Sequence, residues 1–213
     1  MTAAATPPLW SVPRDWVGER CFILCTGESL KPQTKIVPRL KGRFIAVKHG
    51  VFTRPDADVL FLSGERTEAI SRAIVPHYTG PHIVVRGWRP ADQIWGQTVP
   101  GLMTRIKRVT RTKDHEHLTA YPNHVGGYDS GTSAIHLAYL FGATEIVLLG
   151  YDMRGGHFCP HPMQHPPADH FTRHMSVLPA LAADAKAKGI RIVNCSPISA
   201  VTCFERQPVE AFL

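Results

Sequence analysis

Five of the twelve histidines, His157, His161, His165, His170 and His174, fall within residues 155–174. An imidazole titrates near neutrality, so this stretch offers a general base or a group that neutralises a phosphate. Pro160, Pro162, Pro166 and Pro167 keep its first half out of a helix and make it a loop. His157, His161 and His165 are spaced by four, which aligns zinc ligands only on a helix. The prolines forbid that helix and no Cys-x-x-Cys pair is present, so no metal site is expected. His170 and His174 stand one helical turn apart at a helix start and read as structural. The catalytic candidates are therefore His157, His161 and His165.

Three other groups offer chemistry. Thr26-Gly27-Glu28-Ser29 follows an apolar segment; Gly27 can adopt a tight turn, and Ser29 offers a hydroxyl and an N–H to a phosphate. Glu28 would repel that phosphate if it pointed inward, and an ordinary strand-to-helix turn explains the pattern as well. Asp129-Ser130-Gly131-Thr132-Ser133 opens a helical pattern. Asp129 or Ser130 serves as its N-cap, or the Ser130 and Thr132 hydroxyls form an anion or ribose site there. Gly150-Tyr151-Asp152-Met153 places a carboxylate after an apolar run, suited to ribose hydroxyls, a metal or a local cap.

Short apolar strands alternating with helices must position these groups. Strand candidates cover residues 20–25, 43–48, 58–62, 82–86, 145–149 and 190–194. Helix candidates cover residues 65–74, 130–141 and 168–188, the last interrupted near Pro179, with Gly142 and Gly189 as stops. Strands apolar throughout imply a sheet covered on both faces: an α/β, Rossmann-like three-layer fold with a mostly parallel sheet. Such folds bind ligands at the carboxyl ends of their strands. One domain is expected over residues 1–213, with a flexible arm at 1–12 and a less regular insertion at 87–128.

The chain has 24 Lys+Arg against 17 Asp+Glu, a formal charge of +7 with histidine neutral, which favours anionic partners. Arg105, Lys107, Arg108, Arg111 and Lys113 form a basic run, followed at once by Asp114 and Glu116; with Trp88 and Trp95 nearby it leaves DNA as a weak candidate partner. No apolar run approaches the roughly 18–20 residues of a membrane span, and no secretory signal is visible. Five cysteines without paired spacing read as reduced thiols of a cytoplasmic protein.

Four segments resemble one superfamily. Phe22 through Leu30 is similar to its first strand and Gly-x-Gly-Pro-Ser-Leu loop. Phe44 to Lys48 with Pro55 to Phe61 is similar to its second and third strands. Asp129-Ser130-Gly131 through Phe141-Gly142-Ala143 and on to Gly150-Tyr151-Asp152-Met153 is the most specific match. Ile192-Val193-Asn194-Cys195-Ser196-Pro197-Ile198-Ser199 resembles its closing strand and turn. The superfamily is the Rossmann-like one that holds bacterial single-domain sialyltransferases. It also holds the domain shared by motility-associated glycosyltransferases and 6-hydroxymethyl-dihydropterin pyrophosphokinases, with many phage-encoded members. Gly155-Gly156-His157 and the histidines after it resemble the phage type.

The resemblance implies a nucleotide or nucleotide-sugar held by Thr26, Gly27, Glu28, Ser29, Lys48, Ser130, Gly131, Thr132, Tyr151 and Ser196. It implies a loop histidine as base, with Asp152 binding ribose or orienting it. The sequence departs from the family where Cys25 replaces Gly, Glu28 replaces Pro, Lys48 replaces Asn and Asp129 replaces Asn or Thr; Lys48 can neutralise a phosphate. The preferred expectation is sugar transfer to an acceptor hydroxyl without a cofactor. The alternatives are Mg-dependent diphosphate transfer, with Asp152 a candidate ligand, and a non-catalytic nucleotide- or DNA-binding module. Donor, acceptor and oligomeric state stay open.

Overall fold

The computed structural model describes residues 8–63, 72–87, 102–159 and 169–213. Nine strands form one sheet in the order β6-β5-β4-β3-β2-β1-β7-β8-β9, and every pairing is parallel. They are β1 (Arg20–Leu24), β2 (Arg43–Val47), β3 (Val59–Ser63), β4 (His82–Arg86), β5 (Ile106–Arg111), β6 (His124–Val125), β7 (Glu145–Leu149), β8 (Arg191–Asn194) and β9 (Glu205–Arg206). The helices are α1 (Leu30–Gln33), α2 (Leu102–Arg105), α3 (Ser130–Phe141), α4 (Thr172–Ser176) and α5 (Leu178–Ala187), with short 3-10 turns between elements.

The period of two explains the layers. In β1, Cys21 and Ile23 face one core while Phe22 and Leu24 face the other. In β7, Ile146 and Leu148 join the first core and Val147 and Leu149 the second. α3 and α5 cover the first core with Ile135, Leu137, Phe141, Leu178 and Leu181. The opposite face is covered by Leu30, Val37, Leu40, Val75 and Phe212. The sheet is thus buried on both sides, as the apolar strands require. The α/β three-layer expectation holds.

The region expected as an insertion does more than interrupt this frame: residues 102–125 supply α2, β5 and β6, which extend the sheet at one edge. β5 hides in sequence because Lys107, Arg108 and Arg111 break its apolar pattern. The arm expected at residues 1–12 is pinned where it is described: Trp10 N–H donates to the Arg108 carbonyl (2.7 Å) and Val12 N–H to the Pro122 carbonyl (2.8 Å). Residues 1–7 lie outside the described residues. So does residues 64–71, the main part of the helix expected at 65–74. The helical stretch after residue 168 breaks at Val177, with Pro179 in the first turn of α5 where its missing N–H does no harm.

The direction of strand addition reverses at β1. β2 to β6 lie on one side of it and β7 to β9 on the other. Loops leaving the carboxyl ends of β1 and β7 therefore diverge to opposite faces and open a crevice. α3 holds the floor of that crevice. Asp129 caps it, accepting from the N–H groups of Gly131 (2.7 Å) and Thr132 (3.0 Å), and Gly142 at φ 99° ends it in the left-handed conformation. Its one buried imidazole, His136 (1% exposed), accepts from Gly126 N–H at Nδ1 (2.7 Å) and bonds to the Thr119 carbonyl through Nε2 (2.8 Å). That pair of bonds fits only the neutral ring protonated on Nε2.

Burial pushes the pKa of His136 below its ordinary 6.5, and the same cause lowers His82, His115, His157 and His174. The unfolded chain therefore binds protons more readily than the folded one. This stability is fully present above about pH 6.5 and is lost as pH falls below it. Denaturant midpoints are expected to be flat between pH 7 and 8 and to drop steadily toward pH 5; a midpoint unchanged down to pH 5 contradicts this account. His136→Ala orphans the buried Gly126 N–H and the half-buried Thr119 carbonyl and is expected to lower unfolding free energy by about 2–4 kcal/mol in a urea titration.

Candidate active site

The crevice is built around one buried carboxylate. After β1 and β7 the chain keeps pairing: Cys25 N–H donates to the Leu149 carbonyl and Gly27 N–H to the Gly150 carbonyl, each at 2.8 Å. Asp152 (2% exposed) then reaches across. Its Oδ2 accepts from Ser29 N–H at 2.9 Å and its Oδ1 from the Ser29 hydroxyl. Burial raises the Asp152 pKa above the usual carboxylate value, and the bonds from Ser29 and the Ser196 hydroxyl pull it back. The approach leaves no room for a side chain at Gly27, where a Cβ would sit 2.4 Å from Asp152 Oδ2 and 2.6 Å from the Gly150 carbonyl oxygen.

The loop after β8 completes the brace. Ser196 Oγ accepts from Tyr151 N–H (2.7 Å), and Asn194 Oδ1 accepts from Ser196 N–H (3.0 Å). On the other side Gly27 bridges His157 in antiparallel fashion, and Phe158 N–H donates to the Thr26 carbonyl at 3.0 Å. This pairing sets His157 Nδ1 3.0 Å from Thr26 Oγ1.

At the start of α3 the cap occupies what a bound anion would need. The Asp129 carboxylate takes the Gly131 and Thr132 N–H groups and also the Thr132 hydroxyl. Thr132 Oγ1 lies 2.8 Å from the Tyr151 hydroxyl. Gly131 is required here as well, since a Cβ would lie 2.4 Å from the Tyr151 ring. Ser130 is free of this arrangement and its Oγ pairs with Ser63 Oγ at 2.9 Å.

A cavity of about 280 Å³ fills the crevice. The carboxyl ends of β1 to β4 and β7 supply Thr26, Lys48, Ser63, Arg86 and Tyr151 to its wall, and His157, His170 and His174 face it from the loop side. Lys48 has φ 49°, a left-handed conformation that lysine rarely adopts. Its ammonium has no hydrogen-bond or ion-pair partner among the described residues. Burial pushes its pKa down, nearby Asp129 opposes this, and Arg86 adds to it. Arg86 donates to the Gly127 carbonyl (2.8 Å) and Ser133 Oγ (2.5 Å), and burial pushes its pKa down to about 10. Both cavity carboxylates, Asp129 and Asp152, are consumed by donors of the protein itself. The cavity thus carries excess positive charge in a poorly solvated place, an arrangement suited to a phosphate. The histidines are poised differently. Burial holds His157 and His174 below 6.5, so both rings are neutral at pH 7.

Of the residues singled out from sequence, Thr26, Gly27, Lys48, Ser130, Gly131, Tyr151, Asp152 and His157 line the cavity. Ser29, Thr132 and Ser196 stand behind its wall with their hydroxyls engaged, and their part is to brace it. Glu28 is exposed and lies beside Gly155, so it does not point inward. Asp152 orients no histidine among the described residues; it holds Ser29. With both oxygens used this way, the donor set does not fit a bound Mg²⁺, and no group of three metal-ligating side chains occurs among the described residues. His161 and His165 lie outside the described residues. Sequence reading missed Arg86, a polar residue closing an apolar strand at its carboxyl end, as Ser63 closes another. It took His170 and His174 for structural, yet both face the cavity. The basic run does not form one patch. Arg105 donates to the Tyr78 and Gly80 carbonyls and Lys107 to the Thr104 carbonyl, while Arg111 lies over the Tyr128 ring.

No protein-family model and no curated protein sequence matches the chain. Among solved structures, it is similar to the MAf glycosyltransferase of Magnetospirillum magneticum AMB-1, with a TM-score of 0.66 and 12% identity. That match covers 96% of this chain but 36% of the other, so the chain spans about a third of that protein's length. It is also similar to the Campylobacter jejuni sialyltransferase CST-II in complex with a trisaccharide acceptor and CMP, with a TM-score of 0.51 and 15% identity. Here 88% of this chain and 85% of the other are covered. The fold is therefore an α/β fold that glycosyltransferases use.

Replacing Asp152 by Ala leaves Ser29 N–H buried without a partner and opens the β1 loop. Chemical denaturation is expected to show a loss of about 2–4 kcal/mol. Ser29→Ala keeps the backbone donor and is expected to lose less, about 1 kcal/mol. Equal losses for the two would contradict the central place given to the carboxylate.

Proposed function

We propose that the chain transfers a sugar from a nucleotide-sugar to an acceptor hydroxyl. The observation that carries this reading is the combination, in one crevice, of a half-buried ammonium that has no partner among the described residues with two neutral imidazoles. The fold likeness to a sialyltransferase crystallised with CMP and an acceptor supports it as analogy.

The Ser63 and Ser130 hydroxyl pair faces the ribose, and Lys48 takes the phosphate next to the sugar. The neutral histidines divide the remaining work by their neighbours. Burial disfavours an imidazolium at both; at His174 the Asp129 carboxylate opposes this although His170, Arg173 and Lys48 add to it, whereas His157 feels Lys48, His49 and His170 and no carboxylate. His174 is thus the base and His157 a neutral hydrogen-bonding group beside the phosphate. In the transfer the acceptor oxygen attacks the anomeric carbon and its proton passes to His174. The bond from that carbon to the phosphate oxygen breaks, the electron pair stays on that oxygen, and Lys48 balances the added charge. At about 280 Å³ the cavity lies near the small end for ligand sites, which suits one nucleotide. No metal takes part.

A thermal-shift series with cytidine and uridine nucleotides and their sugars tests the donor. A ligand bound by the folded state alone raises the melting temperature, and no shift with any of them sinks the reading. Lys48→Ala is expected to weaken nucleotide binding about 10- to 100-fold. His174→Ala should leave that binding intact and lower kcat roughly 100- to 10,000-fold. Because His174 titrates below 6.5, kcat/KM should be level at neutral pH and fall only on the acid side of that value. A chelator should leave turnover unchanged.

A further inference from the structure

Arg111 and Arg173 converge on a single ring. Their guanidinium carbons lie 5.6 and 4.4 Å from the centroid of Tyr128, and Tyr128 lines the cavity. Arg111 closes β5 on the face of Val109, which packs in the core beneath α3. Arg173 sits in α4 directly before His174. Apart from Tyr128, neither guanidinium has a hydrogen-bond or ion-pair partner among the described residues. His115 adds a fourth element: its ring lies 4.4 Å from Tyr128, and its Nδ1 is buried without a partner among the described residues. Burial lowers its pKa, and Arg111, Arg86 and Arg173 add to this against the Asp114 carboxylate, so these charges lie close together.

Clustered unpaired cations repel one another, and an anion relieves that repulsion. Guanidinium groups also match carboxylates and phosphates in a two-pronged geometry that an ammonium lacks. The nearby Asp129 cannot serve, since its oxygens are held at the start of α3. Lys48 stands apart from this pair in the sheet: it follows β2, and Arg111 ends β5, three strand spacings away, or about 14 Å between backbones.

We infer that Arg111 and Arg173, steadied by Tyr128, form a second anion subsite at the acceptor side of the cavity. It takes the carboxylate or phosphate of an acidic acceptor sugar. The inference rests on the transfer reading for the word acceptor. Arg173 being adjacent to His174, an acid group held there presents a neighbouring hydroxyl to the base.

The probes are methyl β-glucuronide, glucose 6-phosphate and uncharged methyl β-glucoside, added to the full chain with and without CMP and followed by ligand-observed NMR. Binding of one or both charged sugars and not of the glucoside is expected; which one binds separates a carboxylate from a phosphate acceptor. Arg111→Gln and Arg173→Gln together should weaken charged-sugar binding by about tenfold or more, with CMP affinity unchanged. Arg173→Gln alone, on the exposed side of a short helix, gives the same direction if the double variant does not fold. The subsite is overturned if the glucoside binds as well as the charged sugars, if neither charged sugar binds, or if binding survives the substitutions. Failure of CMP to bind strikes the donor reading alone, because arginine-dependent binding of a charged sugar without CMP still upholds the subsite.

Discussion

The Asp152 carboxylate holding Ser29 is the constraint on which the rest of the crevice depends. Two loops leave adjacent strands for opposite faces of the sheet, and left alone they would diverge. The carboxylate draws them together so closely that only hydrogen fits at Gly27. With Gly27 fixed, residues 157 and 158 pair against the β1 loop and His157 acquires its place. A charged group with 2% exposure is expensive to bury, and here two bonds from Ser29 and one from Ser196 offset that expense.

A second consequence of such bracing is electrostatic. Asp129 and Asp152 are the carboxylates nearest the cavity, and each is spent on protein donors. The cations have no such commitments: Lys48, Arg111 and Arg173 keep their charge uncompensated among the described residues, while Arg86 bonds only to neutral oxygens. The positive charge of the crevice thus arises because caps and loop ties occupy its carboxylates, rather than from local sequence richness in lysine and arginine. The stretch richest in such residues lines none of the cavity and sends one exposed side chain, Arg111, over the Tyr128 ring.

Much of the frame was legible in sequence because β1 to β4, β7 and β8 are buried on both faces and so read as unbroken apolar runs. α3 was legible from its cap and from Gly142. β5 and β6 were not, because charged residues at a sheet edge erase the apolar signal. The candidate site was legible in part. Lys48, Ser130 and Gly131 announce themselves at the ends of strands or the start of a helix. The meaning of Asp152 depends on Ser29, 123 positions away, and no local pattern encodes that partnership. Hydroxyls at Ser29, Thr132 and Ser196 look like ligand groups in sequence, yet tertiary packing turns them toward the protein. His174 was hidden for the opposite reason: helical spacing with His170 resembles a structural pair, and only the packing of α4 against the crevice turns it inward.

Lys48 carries a further implication. Asparagine settles into a left-handed backbone far more readily than lysine does. Lysine at φ 49° costs about 1 kcal/mol or more relative to a relaxed residue. The chain therefore carries a built-in trade-off at a single position, with ease of folding set against a charge in the crevice. Any search for a sturdier version of this protein will favour asparagine or glycine there and will, in doing so, remove that charge.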